Sequence, residues 1–528
     1  MIPAGFLEAN DAAYRWLVAR ARQIDPRARP DDALQAVERA ATLAVLFHAG
    51  RFADGALDQV LHEVGARLDE PNAPAIDLPG GRRRVLHVTT RVEGLGGHTR
   101  MIDRWIACDP SSTHAVALVD QGSVPIPSWL QATAAGRVFA PPPGATPSAR
   151  AGWLRAVARQ ADLVVLHHYP SDAVAVAAFA TEGGPPVAVL DHADHVFWLG
   201  SSIADTVISL RSAGGRHAEA RRYVPGYVVL PIPLVQEPPP VRREEARRAL
   251  RLPDDQVVLL SVGRAEKYRP SGAYDFVATL NRILVQDRKA HAWVVGESRE
   301  GIAPHLRVQP HERLHFVGSV DDPSRWRAAA DVYLESFPFG SQTALLEAGL
   351  DALPVVPAYA PLFPLLVAND DAVCELLPNP ADEGAYVDQA VRLARNALER
   401  MALGHELRRR LVADHVGDGW TARLAAIYRH TDALVHRPRA IPETPCSTSD
   451  ADRSLSLWRV LASSGGADTH AVAIHAGQVA RFAGDHAGAR AQALRALRSR
   501  TASAEAWRLL ALGLLGDSAK TLKTLLRR

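Results

Sequence analysis

The sequence predicts an α/β protein in which two doubly wound domains in series face a cleft, with all-α N-terminal and C-terminal extensions. Three observations carry this reading. Short apolar, β-branched runs recur with helical patterns between them, which is the signature of parallel sheets with crossover helices. A proline-rich segment, PIPLVQEPPP from Pro231 to Pro240, divides those runs into two groups, and it can be neither helix nor central strand. Outside the runs the chain is rich in Ala, Leu and Arg at helical spacing.

Residues 1–78 read as a helical extension, with apolar positions at helical spacing from Ala41 to Phe47 and from Leu57 to Leu68. Gly50-Arg51-Phe52 marks a hairpin between two of its helices. Residues 79–235 form the first α/β domain, with strands predicted in VLHVTT, ADLVVLHHY, PPVAVLDHA and DTVISL. Residues 236–430 form the second, with strands predicted at Val257–Val262, Ala292–Val295, Leu314–Val317, Val332–Leu334 and Pro354–Val356. Residues 431–450, rich in Pro, Ser, Thr and Asp, read as a linker, and residues 451–528 as a helical domain. In that last segment Gly484-Asp485 recurs as Gly516-Asp517, a spacing of 32. This is near the tetratricopeptide period of about 34, so a degenerate helix-turn-helix repeat and two unrelated helix pairs are the alternatives.

Length and composition bound the function. At 528 residues the chain is too long for one core. With 60 basic against 58 acidic residues it has no global field to hold a polyanion, so nucleic acid is not an expected partner. Cys108, Cys374 and Cys446 are too scattered for a disulfide framework or a zinc knuckle, which points to a reducing, cytoplasmic setting. No stretch has the roughly 18 uninterrupted apolar residues of a membrane span.

Ligands of doubly wound domains bind at the carboxyl ends of their strands, so the loops there carry the candidate chemistry. In FGSQTALLEAGLDALPVV, Gly340 frees the backbone and Ser341, Gln342 and Thr343 begin a helix whose unpaired N–H groups and positive dipole end suit a diphosphate. Glu347 lies one turn below Thr343, where a carboxylate can accept hydrogen bonds from ribose hydroxyls. An ordinary capped helix with a surface glutamate is the other reading. The loop after LLSVG carries Arg264 and Lys267, whose charge would stabilise a departing nucleotide diphosphate; solvated basic residues are the alternative. After VLHVTT, Gly96 and Gly97 permit close approach of a ligand, and His98 is a candidate general base or a solvent-facing helix-start histidine. The cluster Asp191-His192-Ala193-Asp194-His195, with His167-His168 on another strand end, has the composition of a metal site. Neighbouring side chains of one loop do not converge on one ion, however, and a polar loop lining the cleft, with Trp198 packed beneath it, is the preferred reading.

With these residues placed, the chain from Arg82 to Tyr428 resembles nucleotide-sugar glycosyltransferases of the glycosyltransferase-B (GT-B) fold. RREEARRALRLPDDQVVLLSVGRAEK is similar to the lead-in of their donor domain, and HVGDGWTARLAAIY to the helix that closes the fold. The details resemble the O-GlcNAc-transferase-like branch. Its Gly-His-Thr-Thr helix start and following acidic residue are matched by Ser341-Gln342-Thr343-Ala344 and Glu347, with Gln342 in place of His and Ala344 in place of the second Thr. Its phosphate-binding lysine is matched by Lys267, its Gly-Asn-His loop by Gly96-Gly97-His98, and its Trp-Leu-Gly by HVFWLG. The Glu-x7-Glu pair of the retaining branch would need a carboxylate at position 339, where Phe339 stands.

The resemblance implies two Rossmann-like domains and an inverting transfer with no catalytic metal and no cofactor beyond the co-substrate. Residues 236–430 would hold the nucleotide-sugar donor, a UDP-sugar, and residues 79–235 the acceptor, a protein or glycan. His98 would be the base, with His192 or His195 in reserve. Arg264, Lys267, Gly340, Ser341, Gln342 and Thr343 would bind the diphosphate and Glu347 the ribose, while Gly96, Gly97, Asp191, His192 and His195 would line the acceptor side. A non-catalytic scaffold whose helical ends recruit partners and a metal-dependent hydrolase built on Asp191 to His195 are the competing expectations.

Overall fold

The computed structural model describes residues 5–71, 76, 81–94, 97–235, 241–253, 255–270, 273–359, 364–366, 370–464, 469–501 and 503–515. Among them the strands form two parallel sheets. The first contains β1 (Arg84–Thr89), β2 (Thr113–Leu118), β3 (Val138–Phe139), β4 (Leu163–His167), β5 (Val187–Asp191), β6 (Thr206–Ser209) and β7 (Tyr227–Val229), in the order β3-β2-β1-β4-β5-β6-β7. The second contains β8 (Val257–Val262), β9 (Ala290–Val295), β10 (Leu314–Gly318), β11 (Val332–Leu334) and β12 (Val355–Val356), in the order β10-β9-β8-β11-β12. Both sheets reverse strand order next to their first strand, and each reversal opens a crevice at the carboxyl ends.

β4 and β5 are buried along their whole length, as strands covered on both faces must be, and their unbroken apolar runs follow from that. Strands β2, β3 and β7 escaped the sequence reading. β3 and β7 are edge strands of two and three residues, too short to show a period. β2 reads THAVAL, and its histidine and alanines weaken the β-branched signal.

The second domain does not end on its own sheet. Helix Gly417–Asp432 crosses back, and its Trp420, Leu424, Ile427 and Tyr428 join the core formed by Val85, Leu163, Val165 and Leu190 of the first sheet. The Trp420 indole donates to the Pro231 carbonyl at 2.8 Å, tying the crossing to the start of the proline-rich segment.

The helical ends, remote in sequence, form one layer. Helices Phe6–Gln23, Pro30–Phe47 and Gly55–Gly65 share a core with Trp153, Leu154 and Val157 and with the buried faces of β1 and β4. The C-terminal helices Asp450–Ser464 and Thr469–Phe482 pack on them. Asn10 bonds the Ser456 hydroxyl at 3.1 Å and His475 at 3.1 Å, and His48 meets Asp452 at 2.9 Å. Gly484, in the left-handed region at φ 80°, turns the chain between Thr469–Phe482 and His486–Ser499. The second copy of the suspected repeat, Gly516-Asp517, lies outside the described residues.

The segment read as a linker is a strap against the first domain and its helical cover. Arg439 donates to the carbonyls of Ser201 and Tyr223, the Gly55 amide donates to the Pro442 carbonyl at 3.0 Å, and the Ser447 amide to that of Gly50 at 2.8 Å. Gly55 is required by this approach, since a Cβ there would stand 1.9 Å from the Ile441 carbonyl oxygen. Gly55→Ala is therefore expected to cost about 1–3 kcal/mol through overpacking. Gly94→Ala, whose added carbon meets nothing within 4 Å, should leave thermal and urea midpoints unchanged.

Candidate active site

The carboxyl ends of the two sheets meet at an interdomain contact. Arg104, on helix Gly97–Cys108 of the first domain, donates to Glu347 of the second at 2.9 Å. Arg211 donates to the Leu365 carbonyl at 2.8 Å, and Ser212 donates to Asp371 through its amide at 2.9 Å and its hydroxyl at 2.6 Å. Phe339 stacks on Trp458 of the C-terminal helical layer at 5.5 Å and meets the His195 ring edge-on at 5.6 Å. An apolar knot of Phe52, Leu365, Leu366, Leu455 and Trp458 closes this junction from both helical ends.

On the second domain the structure brings the predicted donor residues together. After β8 the chain makes a short 3-10 turn, Ala265–Lys267, which turns Lys267 back toward the helix Gln342–Leu350. The Lys267 ammonium donates to the Gly340 carbonyl and lies 4.7 Å over the Phe339 ring. Gly263 marks how closely the two loops approach, because a Cβ there would come within 2.7 Å of the Ser341 hydroxyl and 3.2 Å of Lys267 Cδ. Arg264 is exposed beside them.

Ser341 holds the N-cap position without capping, since its side chain makes no bond to the first turn. Its Oγ and the Gln342 Nε2 are buried with no hydrogen-bond partner. These two polar atoms, a helix N-terminus and an ammonium together can receive an acceptor-rich ligand. Thr343 follows them in the first turn.

The sequence reading missed the residue that organises this corner. Glu335, at the end of β11 and wholly buried, accepts from the Ser341 amide at 2.6 Å and the Ser336 amide at 3.0 Å. Burial pushes its carboxyl up to about 7, against the opposing pull of Lys267. Burial likewise brings Lys267 down to about 8, with Glu335 acting to raise it. The signal that marks Glu335 in the sequence is a carboxylate directly after the apolar run Val332–Leu334.

Glu347 departs from its expected role. Its two oxygens accept from Arg104 at 2.9 Å and Arg327 at 3.3 Å, so in this structure it is an interdomain ion pair. Helical spacing set it on the correct face, but the arginines come from elements that spacing does not locate.

On the first domain His98 and His192 stand together, ring centroids 4.6 Å apart. His98 bonds the His167 backbone, and its Nε2 is buried without a partner; burial lowers the imidazole to about 4, so it is neutral at physiological pH. Gly97 begins the His98 helix with an exposed position, and Gly96 lies outside the described residues. Asp191 turns away from the cleft: it is buried, 3.5 Å from Arg222, which packs over Trp198. The apolar surround, opposed by Arg222, pushes its carboxyl up to about 6. Asp194 pairs with Arg211 at 2.7 Å and touches His195 at 3.4 Å. The two carboxylates of the cluster are thus each turned to a guanidinium, because buried carboxylates in one loop need separate counter-charges. This corrects Asp191 as a cleft-lining residue, whereas His195 does reach the junction.

Comparison with known proteins gives these features a class. Residues 256–396 match the family described as glycosyl transferases group 1. No curated protein is significantly similar in sequence. Among solved structures the chain is similar to a mutant O-GlcNAc transferase of Thermobaculum terrenum, at 17% identity and TM-score 0.48 over 81% of this chain and 82% of that one. It is also similar to HepE of Anabaena in complex with UDP and glucose, at 14% identity and TM-score 0.48 over 67% and 100% of the two chains. Sucrose-phosphate synthase of Thermosynechococcus elongatus gives 16% identity and TM-score 0.48 over 66% and 99%. The match to glycosyl transferases group 1 thus falls on the second of the two parallel-sheet domains, the one that carries Lys267 and the Ser341 helix start. Among the described residues no helix is long and apolar enough to cross a membrane.

Lysine is scarce, occurring at positions 267, 289, 520 and 523, so Lys267 can be followed individually. After reductive methylation with labelled formaldehyde, its NMR signal should titrate near the value of about 8 set by burial. In Glu335→Gln it should titrate lower still, because the carboxylate that favours the ammonium is gone.

Proposed function

We propose that the protein moves a sugar from a UDP-sugar to an acceptor hydroxyl, with inversion and without a catalytic metal. The observation that carries this is the pair of buried, unpartnered donors, Ser341 Oγ and Gln342 Nε2, beside the Lys267 ammonium. As the sugar–phosphate bond breaks, negative charge grows on the diphosphate. The free N–H groups of the helix start, the two orphan donors and Lys267 are fixed before reaction, so their stabilisation needs no reorganisation. Arg264, exposed at the same loop, adds charge at the outer phosphate.

UDP is the nucleotide implied by the motif resemblance around Lys267 and Ser341. Inversion is supported by Phe339, whose ring is held between Lys267 and Trp458 where the retaining pattern would have a carboxylate. The imidazole pair His98 and His192 supplies the base, since both rings are neutral at physiological pH and stand together at the cleft. The acceptor is a protein or glycan presented on the first domain, beside the helical layer.

Lys267→Ala is expected to abolish the thermal stabilisation by UDP and to lower UDP affinity by about tenfold to a hundredfold, in line with loss of a charge-assisted contact of about 1.5–3 kcal/mol. An unchanged UDP affinity would refute the donor site. In the wild type, affinity should fall as pH rises above about 8, because the ammonium that faces the diphosphate is lost there. Lys267→Arg should bind UDP with no such decline. Replacing His98 and His192 together should suppress transfer while UDP binding is retained, which calorimetry and product release measure separately.

A further inference from the structure

Four imidazoles form a hydrogen-bonded row across the first domain, with a fifth beside its cleft end. His114 on β2, His87 on β1 and His167 on β4 lie on adjacent strands; the register pairs His87 with Val116 and Val165, so His114 falls two residues before and His167 two residues beyond this row. The diagonal continues to His192, just past β5. His87 Nε2 and His114 Nδ1 are 3.0 Å apart, His87 Nδ1 and His167 Nε2 3.1 Å, and His167 Nδ1 and His192 Nε2 3.2 Å. His87 and His167 are fully buried beneath Trp105, whose ring lies 5.4 Å from His87. His98 is a fifth ring, tilted against His192 with centroids 4.6 Å apart at the mouth but not bonded into the row.

The far end of the row is an anion. His114 Nε2 faces the Asp109 carbonyl at 3.1 Å and its carboxylate at 3.3 Å. Burial would push Asp109 up, but bonds from His114, Ser111 and Tyr428 outweigh it and hold the carboxyl well below the usual range. Both atoms facing His114 Nε2 are acceptors, so that nitrogen carries the proton. Its Nδ1 must then accept from His87 Nε2–H, whose Nδ1 accepts from His167 Nε2–H, whose Nδ1 accepts from His192 Nε2–H. The acceptors of one residue, four rings away, fix every tautomer, and among the described residues the His192 Nδ1 lone pair has no partner, on the part-exposed ring at the cleft.

We infer that His192 is the proton acceptor of the transfer reaction and that the imidazole row carries the resulting charge to Asp109. The acceptor hydroxyl gives its proton to His192 Nδ1. His192 passes its Nε2 proton to His167 Nδ1, His167 passes its own to His87, and His87 to His114 Nδ1. His192, His167 and His87 end neutral with tautomers exchanged, and His114 ends as an imidazolium against the Asp109 carboxylate. One proton has left the cleft and one positive charge has reached the buried anion; after release of product the sequence runs backward to water. The row thereby removes the obstacle that makes a buried imidazole a poor base, the cost of holding charge where it is first taken up.

The inference rests on the sugar-transfer reading of the cleft, and its test is independent of it. The groups facing His114 are Asp109 and His87, with Tyr428 bonded to Asp109 from helix Gly417–Asp432; those facing His192 are His98 and His167. Full-length protein labelled with 15N-histidine, measured by solid-state NMR and assigned through single variants, should show Nε2–H tautomers at His87, His167 and His192. In Asp109→Asn, which keeps the backbone carbonyl that His114 faces, the same tautomers should persist. Nδ1–H tautomers at His87 or His167 would overturn the relay. In His87→Gln, whose amide preserves both hydrogen bonds but passes no proton, sugar release from UDP-sugar should lose at least tenfold in kcat at unchanged KM and unchanged UDP affinity. Unchanged kcat would also overturn the relay, whereas absent UDP binding in the wild type would instead refute the donor site.

Discussion

A buried ammonium is the constraint on which the second domain's end of the cleft depends. Removing the charge of Lys267 from water is costly unless partners compensate, and here they are the Gly340 carbonyl, the face of Phe339 and the nearby Glu335 carboxylate. Glu335 needs compensation in turn, and it takes the amides of Ser336 and Ser341. That choice decides how the helix begins: with its amide committed to Glu335 and its hydroxyl off the first turn, Ser341 leaves the cap vacant. A vacant cap would weaken an ordinary helix by about 0.5–2 kcal/mol, a concession expected where a ligand supplies the missing acceptor.

The sheets were legible in the sequence because both are parallel and covered on both faces, which turns strands such as Leu163–His167 and Val187–Asp191 into unbroken apolar runs. The Ser341 helix start and Lys267 were legible for a related reason, since strand-end loops of one sheet converge by topology. Glu335 was not, because a single carboxylate after a strand has no local signature and its meaning depends on which ammonium the fold sets beside it. Glu347 and Asp191 failed in the opposite way. Spacing set them near the site, but their partners Arg104, Arg327 and Arg222 come from other elements, and a carboxylate goes to the nearest guanidinium. The imidazole row was equally hidden: His87, His114 and His167 look like isolated interruptions of apolar strands until the register sets them on one diagonal.

The two sides of the cleft handle charge by different means. The second domain concentrates it in a few fixed donors where a leaving group would need it, whereas the first disperses it along neutral, polarisable rings toward Asp109. Arg104–Glu347, with Phe339 between His195 and Trp458, holds the two devices in one frame. The crossing helix Gly417–Asp432 reinforces that frame, because its Tyr428 is also the hydroxyl bonded to Asp109.

The helical ends have a different consequence. Asp452, near the start of the C-terminal helices, is wholly buried against His48 and Arg221, and Arg51, from the N-terminal helices, is buried against Asp11 and the strap carbonyl of Thr444. The N-terminal end and the first domain thus supply the partners of Asp452, and the strap supplies an acceptor for Arg51. Removing the N-terminal helices would leave Asp452 buried without His48, and removing the strap would leave Arg51 without the Thr444 carbonyl, so the two helical ends stand or fall as one layer.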